Sequence, residues 1–293
     1  MSFKYVAIFL SLAVCNLACD QKIENLENPP SENHIKFCKP PQAIPNLTEL
    51  SVMSSVKYGE DPRHELDIYL PSQTNYPVVM LIHGGSWENG NKDTYSSLGH
   101  LFVKKGIGCV VINYRLSPQV KHPSHIEDVA KAFAWVNNNI SRYGGDSERI
   151  YVMGHSAGAH LAALLATNDQ YLLSHNLCKT RIKGVVVVSG MYNFNSLVLR
   201  WAGLNYIFPT EVDRAAASPI RHIKPDSPSF LVLYAQKDLT TFEGQAKNFH
   251  ETLQKTGCKS SLLMVSNKDH FTILFDICDQ QSKSSKTVIG YIK

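Results

Sequence analysis

Arg149–Thr167 reads RIYVMGHSAGAHLAALLAT, and this stretch decides the fold. Ile150, Tyr151, Val152 and Met153 form a short apolar, partly β-branched run that suits a buried parallel strand. Gly154-His155-Ser156-Ala157-Gly158 follows at once, and then Ala159, Leu161, Ala162, Leu164 and Leu165 fall at helical spacing. A strand that turns sharply into a helix at a central serine is the G-x-S-x-G nucleophile elbow. The spacing has a steric cause. The serine takes a strained backbone conformation, so the residues two before and two after it must be small for strand and helix to approach. The helix start then directs free N–H groups and its positive dipole end at the place where negative charge develops.

A lone serine hydroxyl is a poor nucleophile near neutral pH and needs a base, an orienting acid and an oxyanion hole. In a strand-turn-helix topology these parts lie in loops after the strands, in the chain order Ser, acid, His. Asp238 follows the strand Phe230–Ala235, and His270 follows the strand Ser261–Val265, as that order requires. Asp269 is a rival acid, but adjacent residues rarely aim their side chains at each other. His155 and His160 stand too close to Ser156 to be its base and read as packing or hydrogen-bonding residues. His122, His125, His222 and His250 read as solvated or capping residues.

Upstream, the strand Pro77–Leu81 runs into Ile82-His83-Gly84-Gly85-Ser86-Trp87, an HGG-type loop. Two glycines let the backbone turn its N–H groups toward the site with no Cβ in the way. The expected oxyanion hole is Gly84 or Gly85 together with the N–H of Ala157. His83 reads as a structural hydrogen-bonding residue. Trp87 either walls the substrate pocket or covers the sheet, and Trp201 is the other aromatic candidate for the pocket.

The rest of the chain alternates strands and helices. Leu50–Val56 and Glu65–Leu70 read as an antiparallel hairpin about a Gly/Asp/Pro turn at Gly59–Pro62. Thr94–Lys105 reads as a helix closed by Gly106, and Gly108–Tyr114 as a buried strand. Ser124-His125-Ile126-Glu127 reads as a capping box opening an amphipathic helix to about Arg142. After the elbow helix come a strand over Ile182–Ser189 and a helix with Phe242, Ala246, Phe249 and Leu253 on one face, with Thr287–Ile292 as a final helix. Strands that are apolar throughout imply a mainly parallel sheet covered on both faces by helices. Met191–Asp226 breaks the alternation with aromatic-rich sequence and is expected to cap the strand ends. The fold class is α/β.

At 293 residues, 44% hydrophobic and 18% charged, the composition is globular, with a net charge of +4 that is gathered in no basic block. Nothing in it favours a nucleic-acid partner. Lys4 and the apolar run Tyr5–Ala18 read as a secretory signal over residues 1–18, followed by a polar, proline-containing linker over 19–48 and the folded domain over 49–293. The outcomes at Asn16-Leu17-Ala18-Cys19 are lipidation of Cys19, plain cleavage after Ala18, or an uncleaved anchor, and the chain is expected to be exported. Cys38, Cys109, Cys178, Cys258 and Cys278 show no metal-ligand spacing. Cys109 reads as a buried small hydrophobe, and Cys258 with Cys278 as a candidate disulfide pair.

HGGSW, followed by GHSAGAHLA and then by an aspartate and a histidine in order, resembles the α/β-hydrolase superfamily. Within it the chain is most similar to HGGxW carboxylesterases and arylformamidases of the kynurenine formamidase type, over roughly Tyr58 to Phe275. Leu66-Asp67-Ile68-Tyr69, Val188-Ser189-Gly190-Met191-Tyr192 and Ser218-Pro219-Ile220 add to the likeness. The resemblance implies that Ser156, Asp238 and His270 are catalytic, that His83–Trp87 forms the HGGxW segment, and that no metal or organic cofactor is needed. The expected activity is hydrolysis of small-molecule carboxylic esters through an acyl-enzyme. The alternatives are an arylformamidase and a non-catalytic binding module on the same scaffold.

Overall fold

Apolar runs supply the strands and the chain order places them. The computed structural model describes residues 51–194 and 205–293, so the leader, the linker and Trp201 lie outside the described residues. Strands β1 (Ser51–Lys57), β2 (Glu65–Leu70), β3 (Tyr76–Ile82), β4 (Gly108–Ile112), β5 (Gly145–His155), β6 (Ile182–Val188), β7 (Phe230–Lys237) and β8 (Ser260–Asp269) form one sheet in the order β1-β2-β4-β3-β5-β6-β7-β8. The first two join antiparallel, as does β2 to β4, and every later pairing is parallel.

Alternate residues of each central strand enter two cores. On one face Val78, Met80, Val152, Val185 and Val232 meet helices α2 (Ser124–Asn139) and α3 (Ala157–Thr167). On the other, Val79, Leu81, Val111, Met153 and Leu233 meet α1 (Ser96–Lys104). Shorter α4 (Gln170–Leu173) and α5 (Glu211–Ala216) lie in the connections, and α6 (Phe242–Lys255) packs on the α2–α3 side through Phe249 and Leu253. The chain ends on the α1 side with α7 (Thr272–Cys278) and α8 (Lys283–Ile292). Both faces are therefore dry, which is why these strands read as continuous apolar runs rather than alternating ones.

The strand order sets where a site can form. From β3 the chain steps to β4 on one side, then β5 returns to the other side of β3. The crevice outside the carboxyl ends of β3 and β5 is the topological switch point, where open α/β sheets bind ligands. Gly84-Gly85 leaves the end of β3, and Ser156 leaves the end of β5.

Four expectations change. The Ser124 capping box does not form. Ser124 is already helical, its N–H bonded to Lys121 O, and Pro123 is the cap with no side-chain bond. His122 and His125 are buried, His125 at hydrogen-bond distance (3.1 Å) from Ser117 Oγ and His122 packed on Phe208. Cys258 and Cys278 are free thiols on opposite sides of the sheet, so they cannot pair. Finally, α7 was not expected from the sequence. Within Met191–Asp226, the described residues Phe194, Ile207 and Phe208 join the α2–α3 core.

Candidate active site

The elbow is built by two close approaches. A Cβ on Gly154 would stand 2.2 Å from Gly158 O, and one on Gly158 would stand 2.1 Å from Ile82 O. Only glycine fits at either place. Between them Ser156 is held at φ 55° and ψ −120°, a conformation L residues rarely adopt, with its N–H bonded to Val188 O at 2.9 Å. That geometry lifts Oγ out of the sheet end and leaves Ala157 as the first residue of α3.

Three sequence-predicted residues meet there. His270 Nε2 lies 2.9 Å from Ser156 Oγ, and His270 Nδ1 lies 2.7 Å from Asp238 Oδ1. A carboxylate only accepts, so Nδ1 carries the proton and the Nε2 lone pair faces the serine hydroxyl. Asp238 Oδ2 accepts from Ser189 Oγ at 2.6 Å and from the Ala235 amide at 3.2 Å, while Oδ1 also accepts from the Leu239 amide at 2.9 Å. Burial raises the Asp238 carboxyl, but the bonds from His270, Ser189 and the Ala235 amide outweigh it and hold the group below its ordinary range. Ser189 was not anticipated as a partner; its φ of 50° at the end of β6 is the signal that the structure supplies and the sequence does not. Asp269, the rival acid, points elsewhere. Its Oδ1 accepts from the amides of Phe271 and Thr272, and the Asp269 amide donates to Thr272 Oγ1, so Asp269 caps α7.

In the HGG loop the two glycines separate. Gly84 N–H donates to Tyr95 Oη at 2.9 Å and is occupied. Gly85 and Ala157 N–H have no acceptor among the described residues, and both residues line the cavity. Gly85 sits at φ +116°, and a Cβ there would stand 2.2 Å from Asn89 O. Ser86 and Trp87 also take positive φ, of 55° and 60°. Such a loop persists only where its surroundings hold it. Trp87 Nε1 donates to His160 Nδ1 at 3.1 Å, and His160 Nε2 donates to Ala217 O at 2.7 Å. Arg63 holds the Gly90 carbonyl at 2.9 Å and reaches His83 Nε2 at 3.3 Å. Trp87 thus combines both readings. It lines the cavity, but its ring is buried against Phe194, Phe208 and His160 and anchors the loop.

Behind the loop runs a second connection. His155 Nε2 donates to His270 O at 2.8 Å, which leaves Nδ1 to accept from Tyr95 Oη at 3.3 Å. Burial, reinforced by the His270 ring, lowers His155 to about 4, so it is neutral at pH 7 as this pattern requires. Tyr95 and His155 therefore tie the Gly84-Gly85 loop to the loop that carries His270. The cavity above Ser156 measures about 950 Å³. Tyr95 and Leu98 line it, as do Met191, Leu274, Phe275 and Cys278, with Phe271 just before α7. Of the described part of Met191–Asp226, only Met191 reaches it.

This geometry has relatives. Residues 66–253 match the sequence profile of the family described as BD-FAE. A probable isoprenylcysteine alpha-carbonyl methylesterase of Arabidopsis thaliana is 31% identical over 241 residues, 75% of this chain and 51% of that protein. The chain thus spans about half the length of that relative. A kynurenine formamidase of Danio rerio is 31% identical over 249 residues, 82% of each chain. Among solved structures, a truncated carbohydrate esterase from gut microbiota superposes with a TM-score of 0.71 at 22% identity, over 83% of this chain and 95% of that one, a likeness of fold. With a profile match that runs from β2 through the elbow and the loop of Asp238 into α6, the chain belongs to the BD-FAE family and has the α/β-hydrolase fold.

Proposed function

We propose that this protein is a serine hydrolase that cleaves carboxylic esters. In this reading Ser156 is the nucleophile, His270 the general base and acid, and Asp238 the group that holds the imidazole tautomer. The N–H groups of Gly85 and Ala157 form the oxyanion hole. The observation that carries the reading is the pair of hydrogen bonds at 2.9 and 2.7 Å that aims the Nε2 lone pair at the serine hydroxyl.

As Ser156 Oγ attacks the carbonyl carbon, Nε2 takes its proton, and the charge that develops on the carbonyl oxygen meets the two N–H groups. Losing one such donor costs about 3 kcal/mol of transition-state stabilisation. Asp238 stabilises the imidazolium while this happens. Nε2 then delivers its proton to the leaving alcohol oxygen as the C–O bond breaks, leaving an acyl-Ser156. Water, giving a proton to Nε2, attacks that carbonyl, and the acid departs as Oγ recovers its proton.

An arylformamidase is the second reading, supported by the formamidase relative, whose similarity extends over 82% of both chains. The same groups serve it, with His270 protonating an amine. Assays of p-nitrophenyl acetate and butyrate beside N-formylkynurenine, on wild type and Ser156→Ala, separate the two. Ester turnover that falls by about 10⁶-fold in the variant is expected. Dominant serine-dependent formamide turnover selects the second reading, and turnover unchanged in Ser156→Ala contradicts both.

Export is part of the proposal. It is supported by the charged and apolar stretch over residues 1–18 and by Cys178, which is disulfide-bonded, as an oxidising compartment permits. A mature N-terminus at Cys19 in the exported fraction is expected; an intact Met1 in the soluble interior contradicts it.

A further inference from the structure

Helix α7 is apolar on both faces. Ile273 and Ile277 are fully buried in the core, while Leu274, Phe275 and Cys278, with Phe271 just before the helix, line the active-site cavity. That second set falls at i, i+3, i+4 and i+7, so it forms one continuous stripe. Thr272 and Asp276 are its polar positions, and the apolar side chains of such a helix are normally buried. Here Phe271 is 68% exposed and Phe275 71%, and Leu239, on the same cavity, is 49% exposed. Three large apolar side chains gathered exposed at one cavity are a ligand-contact surface rather than scattered surface residues. Leu98 and Tyr95 line the same space from the α1 side.

Position strengthens the case. The stripe begins one residue after His270, so the apolar wall is continuous with the reacting atoms. From Phe271 to Cys278 the helical rise carries it about 10 Å, the reach of an extended chain of about eight carbons. We infer that α7 and Leu98 form a subsite for one extended apolar chain of the substrate, and that this protein acts on esters bearing a medium-length aliphatic chain. The inference rests on the hydrolase reading above and names its substrate class. Each methylene that enters the groove favours binding by about fourfold. A short acyl group leaves Phe271 and Phe275 facing water.

The test compares kcat/KM for p-nitrophenyl octanoate and acetate on the full chain. A parallel pair, octyl acetate and ethyl acetate, reports a chain on the alcohol side instead. At least one pair is expected to favour the long chain by tenfold or more. Leu274→Trp, which fills the groove, is expected to reduce that ratio tenfold, chiefly through KM. Phe275→Ser, at an exposed position where folding is not at stake, is expected to reduce it severalfold. Val212→Ser, on exposed α5 outside the cavity, leaves the ratio within twofold. Octanoate binding to Ser156→Ala, measured by calorimetry against acetate, gives a readout independent of turnover. Both ratios near one, a ratio that ignores Leu274→Trp and Phe275→Ser, or octanoate binding no better than acetate would overturn the inference. Intact octanoate binding without any serine-dependent ester turnover would instead keep the groove and overturn the hydrolase reading.

Discussion

The hydroxyl of Tyr95 stands between the two halves of the site. It accepts from Gly84 N–H at 2.9 Å and donates to His155, which in turn holds the His270 carbonyl at 2.8 Å. Tyr95→Phe leaves a buried N–H without a partner, a loss of about 1–3 kcal/mol. It also frees the loop that carries Gly85. Urea denaturation should show that loss, and kcat should fall about tenfold with KM little changed. Wild-type kcat in the variant contradicts the role. This residue also shows where sequence reading stops. Ser156, Asp238 and His270 are legible because their order along an α/β chain is constrained by topology. Whether Gly84 or Gly85 offers the free N–H depends on a tyrosine 11 residues away, and no local pattern encodes that contact.

Helices α3 and α7 are held by different means, and so differ in how easily they are read. The strand-to-helix turn before α3 depends on two glycines with no room for a methyl group. Gly158→Ala, whose Cβ would stand 2.1 Å from Ile82 O, is expected to destabilise the fold by about 3 kcal/mol or more. Gly244→Ala at an exposed position of α6, where a Cβ meets nothing within 4 Å, should stabilise by about 0.5–1 kcal/mol. Paired thermal melts check both signs at once; equal shifts would contradict the steric account. The elbow was legible because this crowding leaves glycines in the sequence. Helix α7 was not. It has seven residues and no side-chain cap at its own first position, because Asp269 caps it from within the loop that carries His270. Its signal, the Phe271, Leu274, Phe275, Cys278 stripe, is too short to stand out from a loop.

At the scale of the whole molecule, burial of neutral imidazoles ties stability to pH. His83, His122, His125 and His155 are each lowered by burial to about 4, and His160 to about 3, from an ordinary 6.5. Between about pH 6.5 and 4 the unfolded chain binds protons at these positions that the folded chain does not. Stability is therefore full above about pH 6.5 and falls as the pH drops toward 4. The lowered carboxylates Asp238 and Asp128 add a loss in the same direction at lower pH. Urea midpoints measured from pH 7.5 to 4.5 should fall continuously, and a flat profile contradicts the assignment of these rings as neutral. Two of them, His122 and His125, read as solvated or capping residues from sequence because nothing local to them shows the core that closes over them.

The central claim is that Ser156 is the nucleophile that His270 and Asp238 activate. Treatment with diethyl p-nitrophenyl phosphate, followed by intact mass and peptide mapping, tests it directly. The account predicts one diethylphosphoryl group per chain, on Ser156, with matching loss of ester turnover, and no label on Ser156→Ala. A label on another residue, or full ester turnover in an unlabelled protein, would contradict it.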